Sequence, residues 1–317
     1  MAVNLDKPQR WKQDTQASVD HYNKWFMRFA PRAFRETRLD VTKRVEEAII
    51  ASNDLRALSP ALLSAHPDVL STFRMSCCPP LAVDRLVGLA DTKKSLIQSM
   101  EAGRLSGKMS SEALGGHLKR VVKVLHRLLD VDIFVWIPEH RAPTAEERRR
   151  ASTIVADRLT GAVADPIIRN AQERRQLSAI AAYLKKKGYV RKAHPPGAPL
   201  ETMSPGTFAF HYSVATGSEG HKVSVSVDVL IQPRRLRPNR LPIMVEAKSA
   251  GDFTNTNKRR KEEAKKMQQL KATFGMDVCY LVFLCGYFDG GYLGYEAADG
   301  IDWVWEHRIA DFALLGI

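Results

Sequence analysis

The chain has 317 residues, of which 44% are hydrophobic and 26% are charged. These proportions are ordinary for a globular protein and exclude wholesale disorder, a collagen-like repeat and a disulfide scaffold. Lysine and arginine outnumber aspartate and glutamate by 48 to 35, which leaves a net charge of +13. Such an excess favours a polyanionic partner, with nucleic acid the first candidate.

Three features of the sequence predict a cytoplasmic protein. No run approaches 18 uncharged apolar residues, so we expect no membrane span. The polar N-terminus lacks the apolar core of a signal peptide. The cysteines form no CxxC pair, which argues against a zinc site and fits a reducing compartment. They are Cys77, Cys78, Cys279 and Cys285.

The first part of the chain is predicted to be mainly helical. Apolar residues recur at helical spacing over residues 15–34, and residues 118–129 carry a regular apolar stripe. Residues 136–144, WIPEHRAPT, combine prolines with charge and are the best candidate for a linker. We therefore place a helical N-terminal region at 1–144 and a second domain at 145–317.

The second domain is predicted to form a mixed α/β layer. A helix is predicted to end at Gly188, and from about Phe208 the apolar period changes to two. The predicted elements that follow are strands over 221–233 and 240–251, a charged helix over 256–274, a third strand over 278–288 and a final helix near the end.

Three polar residues end apolar strands in this domain. Glu246 and Lys248 are two apart, so in a strand they share a face, and Asp228 precedes them by about eighteen residues. If the two strands pair, two carboxylates and an ammonium converge. A divalent cation would relieve the repulsion between the carboxylates and activate a water molecule for phosphodiester hydrolysis.

An E-x-K triplet alone is weak evidence, because it usually marks a solvated strand or a salt bridge. Here it ends an apolar strand, where unpaired charge is costly. Residues 234–266 also contain eleven lysines and arginines against four acidic residues, more than half of the net positive charge of the chain. Together these features favour a nuclease.

Longer sequence segments make the functional assignment more specific. Asp228 with Glu246-Ala247-Lys248 resembles the motif of the PD-(D/E)xK nuclease superfamily. DKPQRW, QASVDHYNKWF, ADPIIRNAQERRQL, VEAKSAGDFTNTNKRRKEEAKK and FLCGYFDGGYLGYEAADGIDWVWEHRI resemble the XamI-type (SalI-like) type II restriction endonucleases over nearly the full chain.

The resemblance implies a PD-(D/E)xK core and a homodimeric enzyme that needs Mg²⁺ and cuts both strands of duplex DNA at a short palindrome. The family's target is 5′-GTCGAC-3′, the products would carry 5′-phosphates, and a cognate DNA methyltransferase would protect the host. Asp228, Glu246 and the Ala247 carbonyl would hold the metal, and Lys248 would position or deprotonate the attacking water. The N-terminal region would embrace DNA or form the dimer.

Other carboxylates compete for the metal. Asp228 follows Val227 instead of the proline in the superfamily motif, which leaves Asp252, Asp165 and Glu173 as rivals. Glu173 could be an additional metal ligand from a helix, but an ion pair with a neighbouring arginine is slightly favoured. The histidines, including His211, show no metal spacing and are read as surface or core residues.

Two basic segments are predicted to contact DNA. The segment after the E-x-K strand begins a helix and carries residue types that can contact phosphates or the edges of bases. The loop between the two motif strands would grip the backbone. The residues are Asn255, Asn257, Lys258, Arg259 and Arg260 in the first segment, and Arg234, Arg235, Arg237 and Arg240 in the second. A repair or junction-resolving nuclease, and a non-catalytic DNA-binding protein, remain the alternatives.

Overall fold

The computed structural model describes residues 2–105, 109–217, 223–254 and 256–317, without the side chains of residues 256–260. The chain divides into two compact units, one formed by residues 1–29 and 169–317 and the other by residues 30–168. The helices are α1 (Pro8–Ala51), α2 (Pro60–Ala65), α3 (Leu70–Met75), α4 (Val83–Leu89), α5 (Lys94–Glu101), α6 (Ser111–Leu128), α7 (Ala145–Lys186), α8 (Thr256–Phe274) and α9 (Gly290–Ala298). The strands are β1 (Val190–Arg191), β2 (Thr207–Thr216), β3 (Val223–Gln232), β4 (Ile243–Ala250), β5 (Tyr280–Gly286) and β6 (Asp302–Trp305).

The unit formed by residues 30–168 is helical around one apolar core. The apolar stripe of α6 is confirmed, since Leu118, Val121 and Leu125 are buried in that core. Segment 136–144 is not a linker between units, because Trp136 is fully buried and its indole donates to the Asp54 carbonyl at 2.9 Å. The unit boundaries fall instead within α1 and α7, away from the predicted boundary at 144/145.

The other unit contains the sheet, whose described strands follow the order β1-β2-β3-β4-β5-β6. The pairs β2·β3 and β3·β4 are antiparallel, and the remaining pairs are parallel. One face packs against apolar residues of α8 and α9, and the other against the C-terminal half of α7 and the 3₁₀ helix Glu306–Leu315. This confirms the predicted α/β class, a mixed sheet flanked by helices, and is consistent with a nuclease core.

Two local predictions differ from the structure. The chain end forms β6 followed by the 3₁₀ helix, where one final helix was expected. Helix α7 also continues through Pro166, where the sequence suggested separate pieces. A proline removes one amide donor and bends a helix, and a helix with enough packed residues can continue past it. Of the helices that the structure describes, none has both the length and the apolar character to cross a bilayer.

Candidate metal centre

Strands β3 and β4 form a fork at the predicted catalytic residues. They pair over Val229–Ile231 and Ile243–Val245, while β3 stays paired with β2 on both sides of Asp228. Beyond Val229 the two strands separate, and Asp228 lies on one side of the opening with Glu246–Lys248 on the other. Such an opening leaves backbone and side-chain polar groups without ladder partners, which suits a binding site.

Asp228 takes the place of a backbone acceptor at the mouth of this fork. Its Oδ2 accepts a hydrogen bond from the Ala247 amide at 2.8 Å. Burial, followed by the nearby Glu246 carboxylate, raises the pKa of Asp228 from 3.8 to about 6, although the Ala247 amide and Lys248 act in the opposite direction. A carboxylate whose charge is disfavoured in this way would be stabilised by a bound cation.

A network of four charged side chains lies beside Asp228, and we call it the charge network. Lys248 Nζ lies 3.0 Å from Glu246 Oε1 and 2.9 Å from Glu263 Oε1. Lys266 Nζ lies 2.7 Å from the same Glu246 oxygen. Glu263 is fully buried and also accepts a hydrogen bond from the Tyr280 hydroxyl. The four charges balance each other, which makes their burial tolerable.

Lys248 is held as an ammonium by this network. Burial alone would lower its pKa, but the carboxylates of Glu263 and Glu246 outweigh burial and raise the pKa above its usual value. A protonated amine donates hydrogen bonds and cannot accept a proton. Its chemistry at neutral pH is therefore to orient a water molecule or to offset negative charge.

The residues present fit a divalent metal ion. Glu246 Oε2 is buried and has no hydrogen-bond partner in the described part of the chain, while Oε1 is held by two lysines. A buried carboxylate oxygen without a partner is costly unless something binds it. Carboxylate oxygens are the ligands that hard divalent cations prefer.

Glu173 and His211 approach Asp228 as well. One ligand atom from each of these three residues lies within 4.8 Å of the others. Glu173 is on α7, and His211 is on β2, opposite Asp228 between the pairs Phe210–Val229 and Tyr212–Val227. In the described residues Glu173 forms none of the ion pairs with arginine that the sequence slightly favoured. The dismissal of His211 as a surface or core residue overlooked this placement.

The other rival carboxylates lie elsewhere. Asp252 Oδ1 accepts a hydrogen bond from the Thr254 amide at 2.8 Å and one from its hydroxyl, and so stabilises the turn after β4. Asp165 is exposed on α7, two turns before Glu173 and in the other compact unit. These positions leave Asp228, Glu246 and Glu173 as the carboxylates at the fork.

The basic loop between β3 and β4 lies away from the fork. Asp228 is four residues from the end of β3, about 13 Å along the strand. The Arg234 guanidinium lies over the Tyr189 ring at 5.5 Å, and Arg237 Nη2 donates to the Asp277 carbonyl at 3.0 Å. These contacts give the two arginines a packing role, although Arg234 is exposed, as are Arg235 and Arg240.

The second basic segment is described in part. Helix α8 begins at Thr256, as the sequence predicted. Asn255 lies outside the described residues. Asn257, Lys258, Arg259 and Arg260 belong to the first turns of α8, and their side chains are outside the description.

Sequence reasoning missed several residues at the fork. Glu263 had a detectable signal, because it shares a helix face with Met267 and Leu270, both buried, in an otherwise charged segment. Gln176 had none. Its buried amide on α7 donates to the carbonyls of Lys248 and Phe283, each at 3.2 Å, and so holds β4 and β5 in place.

Comparisons with known proteins agree with this geometry. The family model of the XamI restriction endonuclease matches residues 53–305. The type II restriction enzyme SalI of Streptomyces albus G is 51% identical over 314 residues, which cover 99% of each chain. A solved structure, protein VC1899 from Vibrio cholerae, matches 88% of this chain and 55% of its own length at 10% identity and TM-score 0.29. The chain thus spans about half of that structure, and so distant a likeness carries no argument.

A mixed sheet, a fork lined by carboxylates and a partly buried lysine fit an enzyme that hydrolyses phosphodiesters. The family match makes the class definite: the protein is a type II restriction endonuclease, a site-specific deoxyribonuclease. Within that class, the chain belongs to the XamI restriction endonuclease family. Enzymes of this kind use a divalent metal ion and act on DNA.

Proposed function

We propose that this protein cuts both strands of duplex DNA at the palindrome 5′-GTCGAC-3′ with Mg²⁺ at the β3–β4 fork. The relative that is 51% identical is named as the restriction enzyme SalI, and the identity extends over 99% of both chains. The observation that carries the proposal is the fork itself. It holds Asp228 beside the Ala247 amide and leaves one buried Glu246 oxygen without a hydrogen-bond partner among the described residues.

Asp228, Glu246 and the Ala247 carbonyl would hold the metal ion, with Glu173 as an additional carboxylate. When bound, Mg²⁺ would polarise the scissile phosphate and lower the pKa of a coordinated water molecule. The role of Asp228 also includes fixing the strand, since its Oδ2 is hydrogen-bonded to the Ala247 amide. Two binding carboxylates from diverging strands leave an open side for the DNA backbone.

Lys248 would orient the attacking water and offset charge on the phosphate. The Glu246 and Glu263 carboxylates keep it an ammonium, so we assign it positioning and electrostatic stabilisation in preference to proton removal. Glu263 and Lys266 are positioning residues in this scheme, because they contact Lys248 and Glu246 and not the reacting atoms. In-line attack would leave a 5′-phosphate and a 3′-hydroxyl.

The remaining parts of the proposal concern DNA and partners. A palindromic target is most simply read by a two-fold homodimer, with each subunit cutting one strand. Exposed Arg235 and Arg240, and the basic start of α8, would contact DNA, and the helical region would embrace DNA or form the dimer. A methyltransferase of the same specificity would protect the host genome.

The experiment is digestion of phage DNA in Mg²⁺ and in EDTA, followed by sequencing of the fragment ends. We expect cleavage in Mg²⁺ at GTCGAC sites, with 5′-phosphate ends, and none in EDTA. Random or shape-dependent cutting would point to a repair or junction-resolving nuclease. Binding without scission would point to a non-catalytic DNA-binding protein.

Glu246→Gln tests the site, and Glu262→Gln is its matched control on the exposed face of α8. Glu246→Gln should bind the target and fail to cut it, because it loses a metal ligand. The control should cut normally. Full cleavage by Glu246→Gln would remove that residue from the mechanism.

A further inference from the structure

His211 adopts an unusual backbone conformation for a residue within a strand. Its φ is +52°, in the left-handed region that L-residues other than glycine adopt infrequently. The side-chain alternation of β2 changes at this point, because Phe210 packs with one core while Tyr212 and Val214 both pack with the other. His211 is thereby placed opposite Asp228 at the fork.

The group formed by Glu173, His211 and Asp228 has the composition of a metal site. Their ligand atoms lie within 4.8 Å of one another, and the two outer residues, Glu173 and His211, are exposed. Two carboxylates at this separation repel each other when both are ionised. In the described residues, neither Glu173 nor His211 has a hydrogen-bond or ion-pair partner that would relieve this repulsion.

A second group of similar composition provides a contrast. His21, Cys285 and Glu306 also lie within 4.8 Å of one another. There Arg175 Nη2 donates to Cys285 Sγ at 3.1 Å and to Glu306 Oε2 at 2.9 Å. A guanidinium cation of the protein already neutralises that group, which leaves no need for a metal. At the fork, no lysine or arginine of the described residues forms a hydrogen bond or ion pair with Glu173, His211 or Asp228.

We propose that His211 is a metal ligand and that Glu173, His211 and Asp228 form a second cation site, which prefers Mn²⁺ or Co²⁺ to Mg²⁺. Imidazole nitrogen suits first-row transition metals, whereas Mg²⁺ prefers oxygen ligands alone. The site shares Asp228 with the proposed Mg²⁺ site and so rests on the proposed function for its role in cleavage. Its binding of metal is independent of cleavage.

The test is electron paramagnetic resonance of Mn²⁺ added to the DNA-free protein, with pulsed detection of ¹⁴N coupling. A directly bound imidazole nitrogen gives such coupling, and carboxylate or water ligands do not. We expect ¹⁴N coupling in the wild type, its loss in His211→Asn, and a decrease of Mn²⁺ affinity by about tenfold or more in that variant. Asparagine tolerates the left-handed conformation, so this variant should keep the fold.

The matched control is His140→Asn. His140 is also exposed and also left-handed, with φ +51°, but it lies in the other unit and outside both groups. This control and Glu246→Gln should keep the ¹⁴N coupling. Bound Mn²⁺ without ¹⁴N coupling in the wild type, or coupling that persists in His211→Asn, would overturn the proposal.

The cleavage assay separates the two proposals. If the wild type cuts GTCGAC in Mg²⁺ but its bound Mn²⁺ shows no nitrogen ligand, this inference fails and the proposed function stands. If nitrogen-coupled Mn²⁺ is present but no cleavage occurs under any metal, the metal site stands and the proposed function fails.

Discussion

The two sides of the fork handle negative charge in different ways. On the side of α8, the buried carboxylates of Glu246 and Glu263 are neutralised by Lys248 and Lys266. On the side of α7, Glu173 and Asp228 lie close together, and no lysine or arginine of the described residues forms an ion pair with either. The charges of the first side balance within the fold, and we propose that the second side takes a cation from solution.

Under the proposed function, this difference lets the fold be stable while the residues assigned to the metal stay available. Charges buried at the α8 side would be costly if one partner were missing, so that side must be assembled before any ligand binds. Repulsion at the open side is a smaller cost, because Glu173 is exposed and water screens its charge. Metal binding then relieves that repulsion.

The largest loss of cleavage rate is expected from a substitution of Lys248. Lys248→Ala removes the ammonium that would orient water and offset charge, and we expect single-turnover cleavage to fall by about 10²–10³-fold. Target DNA should still bind, which a gel-shift assay measures. Lys265→Ala, at an exposed position on the same helix as Glu263, is the control. A Lys248→Ala enzyme that cuts as fast as the wild type would contradict the role given to the charge network.

Glu263→Gln tests whether the buried carboxylate positions Lys248. It removes one of the two carboxylates that raise the pKa of Lys248, and we expect cleavage to slow by about tenfold. The alkaline limb of the pH–rate profile should also move to lower pH, which a purely structural defect would not cause. Glu262→Gln, one residue away and exposed, should change neither quantity. An unshifted profile in a folded Glu263→Gln enzyme would refute the positioning role.

Asp228→Asn should stabilise the metal-free protein while it abolishes cleavage. The folded-state pKa of Asp228 is raised from 3.8 to about 6, so the unfolded chain loses its proton at lower pH than the folded chain. The ionised carboxylate therefore destabilises the fold, and stability falls as the pH rises from about 4 to 6. At pH 8 in EDTA we expect Asp228→Asn to melt about 2–4 °C higher.

The same variant carries two internal checks. Below about pH 3 the difference in melting temperature should vanish, because Asp228 is then protonated in both states. Added Mg²⁺ should raise the melting temperature of the wild type and leave that of Asp228→Asn nearly unchanged. If Asp228→Asn melted lower than the wild type at pH 8 in EDTA, Asp228 would not be a destabilised carboxylate.

The strands could be predicted from the sequence because local pattern determines them, and the same pattern proposes Asp228, Glu246 and Lys248 as site residues. Alternating apolar residues predicted β3, an apolar run that ends at Glu246 predicted β4, and a charged segment predicted the helix α8. The fork could not be predicted, since it depends on where β3 leaves β4 and stays with β2. Strict alternation would place the valines of β3 on one face, yet Val225 and Val227 pack with one core and Val229 with the other.

His211 shows most clearly what the sequence alone cannot predict. A lone histidine carries no spacing signal, and its left-handed conformation is not encoded by a glycine or asparagine. Glu173 could be ranked as a candidate but not decided, because an arginine follows it directly in the sequence. Both residues reach Asp228 through tertiary structure, from α7 and β2, which a reading of consecutive residues does not reveal.

The location of the bound metal tests the central claim most directly. Crystals of the protein grown with Mn²⁺ and target DNA would give an anomalous difference map at the manganese absorption edge. We predict a peak between the carboxylates of Asp228 and Glu246, at a ligand distance of about 2.0–2.3 Å. A map with bound DNA but no peak touching Asp228, or with its strongest peak at His21, Cys285 and Glu306, would contradict the account.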